Sequence, residues 1–239
     1  MVSVSPSIDS ALASVAPGFR ALSIVVEAAP VTHPDVAAQL LAQACKAVRE
    51  DDFAWAADHL EAWNTVFKAF GAKPKKTPCS AEALRKRVLK DGGMASIDPV
   101  VDIYNAVSIR YAVPVGGENL AAYEGNPRLT IADGSEPFDT VKAGEPAMEY
   151  PEVGEVIWRD DRGVTCRRWN WRQGVRTRLD SNAQQMWFIL ESLPAMPLSA
   201  LEEAGDMLIA SLEQLMPGMQ AQRQLITLES WVTNKPVLP

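Results

Sequence analysis

Apolar residues recur along this chain at two spacings, and each predicts a different kind of element. Residues 19–27 contain Ile24, Val25 and Val26, a β-branched run that predicts a first strand, closed by Pro30. In 35–50, Val36, Leu40, Ala44 and Val48 fall four apart, the spacing of one helical face. Thr32 or His33 is a candidate for its start. Residues 53–70 predict a second helix with a heavy aromatic side, from Trp55, Trp63, Phe67 and Phe70. Ser80 and Glu82 precede a helical run at 83–89, stopped by Gly92-Gly93. Asp98-Pro99 opens a helix or helical turn at 100–107. Residues 108–111 then read as extended, and 115–119 as a loop whose paired glycines permit conformations other residues resist.

Further along, 128–132 predicts a strand and Asp133-Gly134-Ser135 a turn. Residues 136–154, rich in Pro, Gly and Glu, read as a long surface connection. Strand pieces follow at 155–159, 164–169 and 175–179. The spacing of Met186, Ile189, Leu190 and Leu193 predicts a helix over 182–193, broken by Pro194 and Pro197. The longest amphipathic helix is 198–215, with Leu201, Ala204, Met207, Leu208, Leu212 and Leu215 on a broad apolar face. A last strand is expected over 224–232. The sum is an α+β fold, a mixed or antiparallel sheet with flanking helices. Residues 1–18 are read as a lead-in and 233–239 as a tail. Residues 19–232 are read as one domain, with two subdomains divided near 92 as the alternative.

Composition narrows the classes. A 47% hydrophobic content in 239 residues supports a real core. Three cysteines and two histidines at no ligand spacing predict neither a metal site nor a disulfide framework, and a reducing cytoplasm. Neither a secretion signal nor a membrane span is read, and no cofactor is expected. The net charge of −7 disfavours a broad grip on duplex nucleic acid but leaves room for a local anion site. Such a site has a candidate: residues 159–178 hold seven arginines against Asp160 and Asp161, a formal +5, with Trp158, Trp169 and Trp171 beside them. Either an anion binds there or the arginines join an internal network with carboxylates. A second basic segment, 73–90, sets Lys73, Lys75, Lys76, Arg85, Lys86, Arg87 and Lys90 against Glu82 alone.

No common catalytic signature occurs: there is no Gly-x-Ser-x-Gly, no phosphate loop and no His-Glu-x-x-His. His33 and His59 read as structural. On a strand, Arg167 and Arg168 point to opposite faces, with Thr165 and Trp169 on the side of Arg167 and Cys166 on that of Arg168. Arginine offers two parallel donors to a carboxylate or phosphate. Cys166 is a nucleophile only if nearby charge lowers its pKa; otherwise it is a buried, inert thiol. Trp169 and Trp171 either stack on a base or pack the core. Asn105 either caps a helix-to-strand corner or, with Ser108 and Arg110, closes a pocket beside the arginine-rich strands.

Asp102-Ile-Tyr-Asn-Ala-Val-Ser-Ile, Pro114-Val-Gly-Gly-Glu, Gly154-Glu-Val-Ile-Trp-Arg-Asp, Cys166-Arg-Arg-Trp-Asn-Trp-Arg and Arg176-Thr, in that order, resemble the free-standing B3/B4-domain proteins. These are relatives of the B3/B4 region of the phenylalanyl-tRNA synthetase beta subunit, which hydrolyses tyrosine wrongly esterified to the phenylalanine tRNA. The resemblance runs over roughly 20 to 215. It implies a cleft for an amino acid or aminoacylated adenosine, a tRNA acceptor end as partner, and hydrolytic removal of misacylated amino acid. Glu155 and Arg167 are then the candidate catalytic residues, holding a water and orienting the ester carbonyl. Asn105, Ser108, Arg110, Gly116, Gly117, Asp160, Cys166, Asn170, Trp171 and Arg172 are the candidate binding residues. The alternatives are a non-catalytic module for tRNA or an amino acid, and an unrelated small-molecule hydrolase or lyase.

Overall fold

The computed structural model describes residues 4–228. In chain order it contains β1 (Ser7–Ile8), β2 (Arg20–Glu27), α1 (Asp35–Glu50), α2 (Ala56–Ala69), α3 (Ser80–Asp91), α4 (Pro99–Tyr111), β3 (Val115–Asn119), β4 (Arg128–Ile131), β5 (Phe138–Lys142), β6 (Glu145–Glu149), β7 (Val156–Arg159), β8 (Val164–Arg167), β9 (Arg172–Gln173), β10 (Gln185–Ser192), α5 (Leu198–Leu215) and β11 (Gln220–Thr227). The fold is α+β, with antiparallel and mixed sheets and flanking helices.

A four-stranded antiparallel sheet, ordered β11-β2-β10-β3, forms the middle layer. Its register sorts the side chains. Phe188 stands opposite Ile24 and Gly117, and with Leu22, Val26, Met186 and Leu190 it packs against α4 and α5. Trp187 stands opposite Val25 and Glu118, and Ile189 opposite Ser23 and Gly116, so these residues share the other face. That face meets a five-stranded sheet, ordered β1-β4-β7-β8-β9, through Ile8, Leu129, Val156, Trp158 and Trp169. Only β1 and β4 are parallel there. Phe19, Trp63 and Phe67 close this second core.

Helices α1 and α5 have the bounds their periodicity predicts, because each lays one apolar face on the core and leaves the rest in water. Other expectations fail for identifiable reasons. Residues 185–192 form the strand β10, not a helix. Its run Met186–Leu190 is buried on both faces, and a short continuous apolar run has no period that separates strand from helix. Residues 108–111 continue α4, which ends at Ala112 in a left-handed conformation (φ 44°). Residues 115–119 are the edge strand β3, not a loop. The glycines are required by close approach: a Cβ on Gly117 would lie 2.8 Å from Tyr104 Cε1, and one on Gly116 3.2 Å from Ile189 Cγ2.

Within 136–154 lies the hairpin β5–β6, joined by Ala143 and Gly144 with φ of 52° and 87°, the two-residue turn that suits twisted strands. Strand β8 stops at Arg167, since Arg168 and Trp169 both take positive φ (47° and 64°). Residues 175–179 are turns with one bridge, Arg178 to Glu118. The last strand begins earlier than expected, at Gln220, and the expectation for 229–232 lies outside the described residues. Among the described residues, no helix is long and apolar enough to cross a membrane, and no cluster of His, Cys, Asp or Glu suits a metal.

Candidate functional site

Where the two sheets part, at the β3 and β9 edges, they leave a cavity of about 270 Å³. Its walls come from β3 and β10 on one side, β7, β8 and β9 on the other, and the starts of α3 and the middle of α4 at the ends. Of the residues expected at a site, Asn105, Gly116, Gly117, Cys166, Asn170, Trp171 and Arg172 line it. Trp158, Trp169 and Trp187 add further indole surface.

Glu155 and Arg167, expected as the catalytic pair, do not line this cavity. Cys166 faces the inner core, so strand alternation turns Arg167 to the opposite face of its sheet, under the β5–β6 hairpin. There Arg167 donates to Glu155 through Nε (3.0 Å) and an Nη (2.8 Å), and to Glu149 at 3.2 Å, with its guanidinium 5.8 Å from the Phe138 ring. Asp160 is likewise occupied. It takes both Arg176 Nη atoms at 2.8 Å and the backbone N–H groups of Glu124, Arg162 and Gly163. Burial pushes its carboxyl up, but Arg176 and these N–H groups outweigh that and hold it below its ordinary value.

Ser108 Oγ donates to the Val113 carbonyl at 2.7 Å, finishing the helix end. Arg110 donates to the Asp51 carbonyl and stacks over Phe53, because helical geometry carries it away from Ser108. The arginine island is thus largely an internal network. Arg159 pairs with Glu136, Arg162 with Glu124, Arg167 and Arg168 with Glu155, and Arg176 with Asp160.

The cavity's own chemistry centres on two carboxyls that were not singled out from the sequence. Glu191 shares the inner face of β10 with Trp187 and Ile189. Its Oε1 accepts from the indole N–H of Trp158 and of Trp169, both at 2.9 Å, and its Oε2 from Asn170 Nδ2 at 3.0 Å. No cation joins these three donors, and burial pushes the carboxyl up to about 7. The consecutive left-handed residues Arg168 and Trp169 make this possible. They turn the chain so that Trp169 and Asn170 both reach Glu191. Glu118 is 4% exposed and its Oε2 has no partner within hydrogen-bond geometry; burial pushes it up to about 8, against the weaker pull of the Thr177 and Gln173 side chains and the Arg176 charge.

Cys166 sits near both carboxyls. Burial first, and then Glu118 and Glu191, push its thiol well up, the reverse of what a nucleophile needs. Trp171 lies at the cavity wall with the Arg168 and Arg172 guanidiniums 4.5 and 5.9 Å from its ring. Gln173 Nε2 donates to the Gly117 carbonyl at 2.7 Å and ties β9 to β3. A signal for Glu191 existed: it is the lone charge in the apolar run 186–193. Reading that run as a strand would have placed it beside Trp187 and Ile189.

The arrangement is a small, ring-walled pocket with two buried carboxyls and Arg172 in its wall. No curated protein matches the chain. Among solved structures it is similar to an N-terminal fragment of the phenylalanyl-tRNA synthetase beta subunit from Pyrococcus horikoshii, at 9% identity and a TM-score of 0.47. The alignment covers 95% of this chain and 55% of that one, so this chain spans about half of that fragment. The B3/4 domain matches residues 62–205, and the chain belongs to the B3/4 domain family.

Proposed function

We propose that the cavity receives an amino acid, carried as the aminoacyl group at the 3′ end of a tRNA. The observation that carries this reading is a cavity of about 270 Å³ walled by indoles and holding convergent polar groups. Ligand pockets run from roughly 300 to 1,000 Å³, so this one suits a group of amino-acid size and leaves adenosine and phosphates outside. The B3/4 membership supports a ligand of the tRNA or amino-acid class. Outside the cavity, Lys73, Lys75 and Lys76 are exposed, form no ion pair among the described residues, and lead directly to Ser80 in the cavity wall. They offer phosphate contacts in an otherwise acidic chain, and such contacts weaken as salt rises.

The finer reading is hydrolysis of the aminoacyl ester. It is supported by Glu191, whose carboxyl titrates near neutrality and is held in place by three donors. A carboxylate has about four lone-pair sites, so one remains for a water. Glu191 would take a proton from the attacking water and return it to the departing 3′ oxygen. The test is a deacylation screen across mischarged tRNAs with Glu191→Gln as control. Release of amino acid by the wild type, lost in the variant, is the expected result. Binding without release overturns the hydrolytic reading and leaves a binding module. Neither binding nor release overturns both.

A further inference from the structure

We propose that Glu118 holds the ligand's free α-ammonium group, so that the cavity accepts a free amine and rejects an N-acylated one; this rests on the aminoacyl reading above. Among the described residues, six Asp or Glu side chains are buried: Asp102, Glu118, Glu136, Glu155, Asp160 and Glu191. Glu136, Glu155 and Asp160 pair with arginines. Asp102 accepts from Ser96 Oγ and the Ile97 N–H, and Glu191 accepts from three neutral donors. Glu118 alone leaves an oxygen without a partner.

The protein's own cations do not meet that need. Arg176 is committed to Asp160 through both Nη atoms. Arg178 bridges Glu118 only through the backbone, and its side chain is exposed. Left without a paired cation, the buried carboxyl favours its protonated form, and an incoming cation favours the ionised one.

The second observation is Asn170, 8% exposed and also in the cavity wall. Its Nδ2 must face the Glu191 carboxyl, since two acceptors cannot face each other. Its Oδ1 therefore points elsewhere and has no partner. Three buried polar atoms of wall residues thus lack a partner, Ser80 Oγ, Glu118 Oε2 and Asn170 Oδ1, and the last two can only accept when Glu118 is ionised. An ammonium brings one charge and three donors to them. An amide N–H brings one donor and no charge. Trp187, directly opposite Glu118 in the β10–β3 ladder, adds a ring, and aromatic rings favour cations at their faces. Arg172 in the wall carries the opposite charge, and three exposed lysines precede Ser80 in the chain. That polarity fits a ligand with its ammonium inside and its ester and phosphates outside.

The experiment titrates the full chain with 3′-aminoacylamino-3′-deoxyadenosines, which carry an amide in place of the ester. A panel of side chains is tested, each ligand with a free and an N-acetylated α-amine. Binding is read from the fluorescence of the cavity tryptophans. The expected result is at least tenfold weaker binding on N-acetylation. Glu118→Gln should weaken the free-amine ligands at least tenfold and leave the acetylated ones unchanged. Equal affinity of the wild type for free and acetylated forms overturns the Glu118 assignment and leaves the aminoacyl reading standing. No binding of either form overturns both. If the variant does not fold, wild type is titrated with the deaminated ligand, which lacks the charge and adds no bulk: binding at least tenfold weaker than the free amine supports the assignment, and equal binding overturns it.

Discussion

Replacing Glu191 with glutamine separates the cost of a buried charge from the value of its hydrogen bonds. The carbonyl of glutamine can still accept from the Trp158 and Trp169 indoles. Its NH₂ group would face Asn170, which can turn its amide and accept through an oxygen that now has no partner. What the variant lacks is the proton equilibrium. Folding moves the Glu191 carboxyl from 4.5 to about 7 through burial. Below pH 4.5 the carboxyl is neutral in both states and its contribution is fully present. Between 4.5 and about 7 the folded state holds a proton that the unfolded state has released, so stability falls as pH rises. At about 1.4 kcal/mol for each tenfold change in proton affinity, the loss is roughly 3 kcal/mol. Glu118 titrates the same way in both proteins and cancels in the difference. Urea denaturation at half-unit intervals from pH 5 to 9 measures this. The stability of Glu191→Gln relative to wild type should rise across that range by most of the 3 kcal/mol. Two parallel curves would refute the buried, cation-free carboxyl and, with it, the case for Glu191 as a proton carrier.

Two further outcomes test how the site is built. Arg167→Met leaves buried Glu155 with only the more distant Arg168 guanidinium, 3.6 Å away, and should cost about 3 kcal/mol in denaturant unfolding, with binding of aminoacyl-adenosine analogues by the folded variant within twofold of wild type. Abolished binding in a folded variant would return Arg167 to the site. Gly117→Ala puts a methyl 2.8 Å from Tyr104 Cε1 and 3.0 Å from Leu179 Cδ2, so it should destabilise by about 1–3 kcal/mol and weaken ligand binding by shifting Tyr104 in the cavity wall. Unchanged stability and affinity would contradict the close approach of α4 to β3.

Several elements were legible because one local pattern sufficed. The apolar stripes of α1 and α5 and the β-branched run of β2 each meet one environment along their length. Strand β10 was not, because Trp187 and Phe188 are both buried, on opposite faces and against different layers. β3 was not, because Gly116 and Gly117 look like loop residues until Ile189 and Tyr104 are brought beside them. Part of the cavity wall, Asn105, Cys166, Asn170, Trp171 and Arg172, could be named from residue type and family resemblance alone. The two carboxyls that give the cavity its chemistry could not.

The difference has one physical root. The sequence by itself determined the inventory: an acidic chain, a basic island, the α+β class, the amphipathic helices and the B3/4 pattern. All of these are sums or short-range periods. Which charges neutralise one another is a matter of long-range contact, and only the tertiary structure decided it. Pairing Arg167 with Glu155, and Arg176 with Asp160, removes the most conspicuous charges of the island from the cavity. The meeting of the two sheets buries Glu118 and Glu191 without an ion pair, and a carboxyl's proton affinity depends on the surroundings that meeting creates.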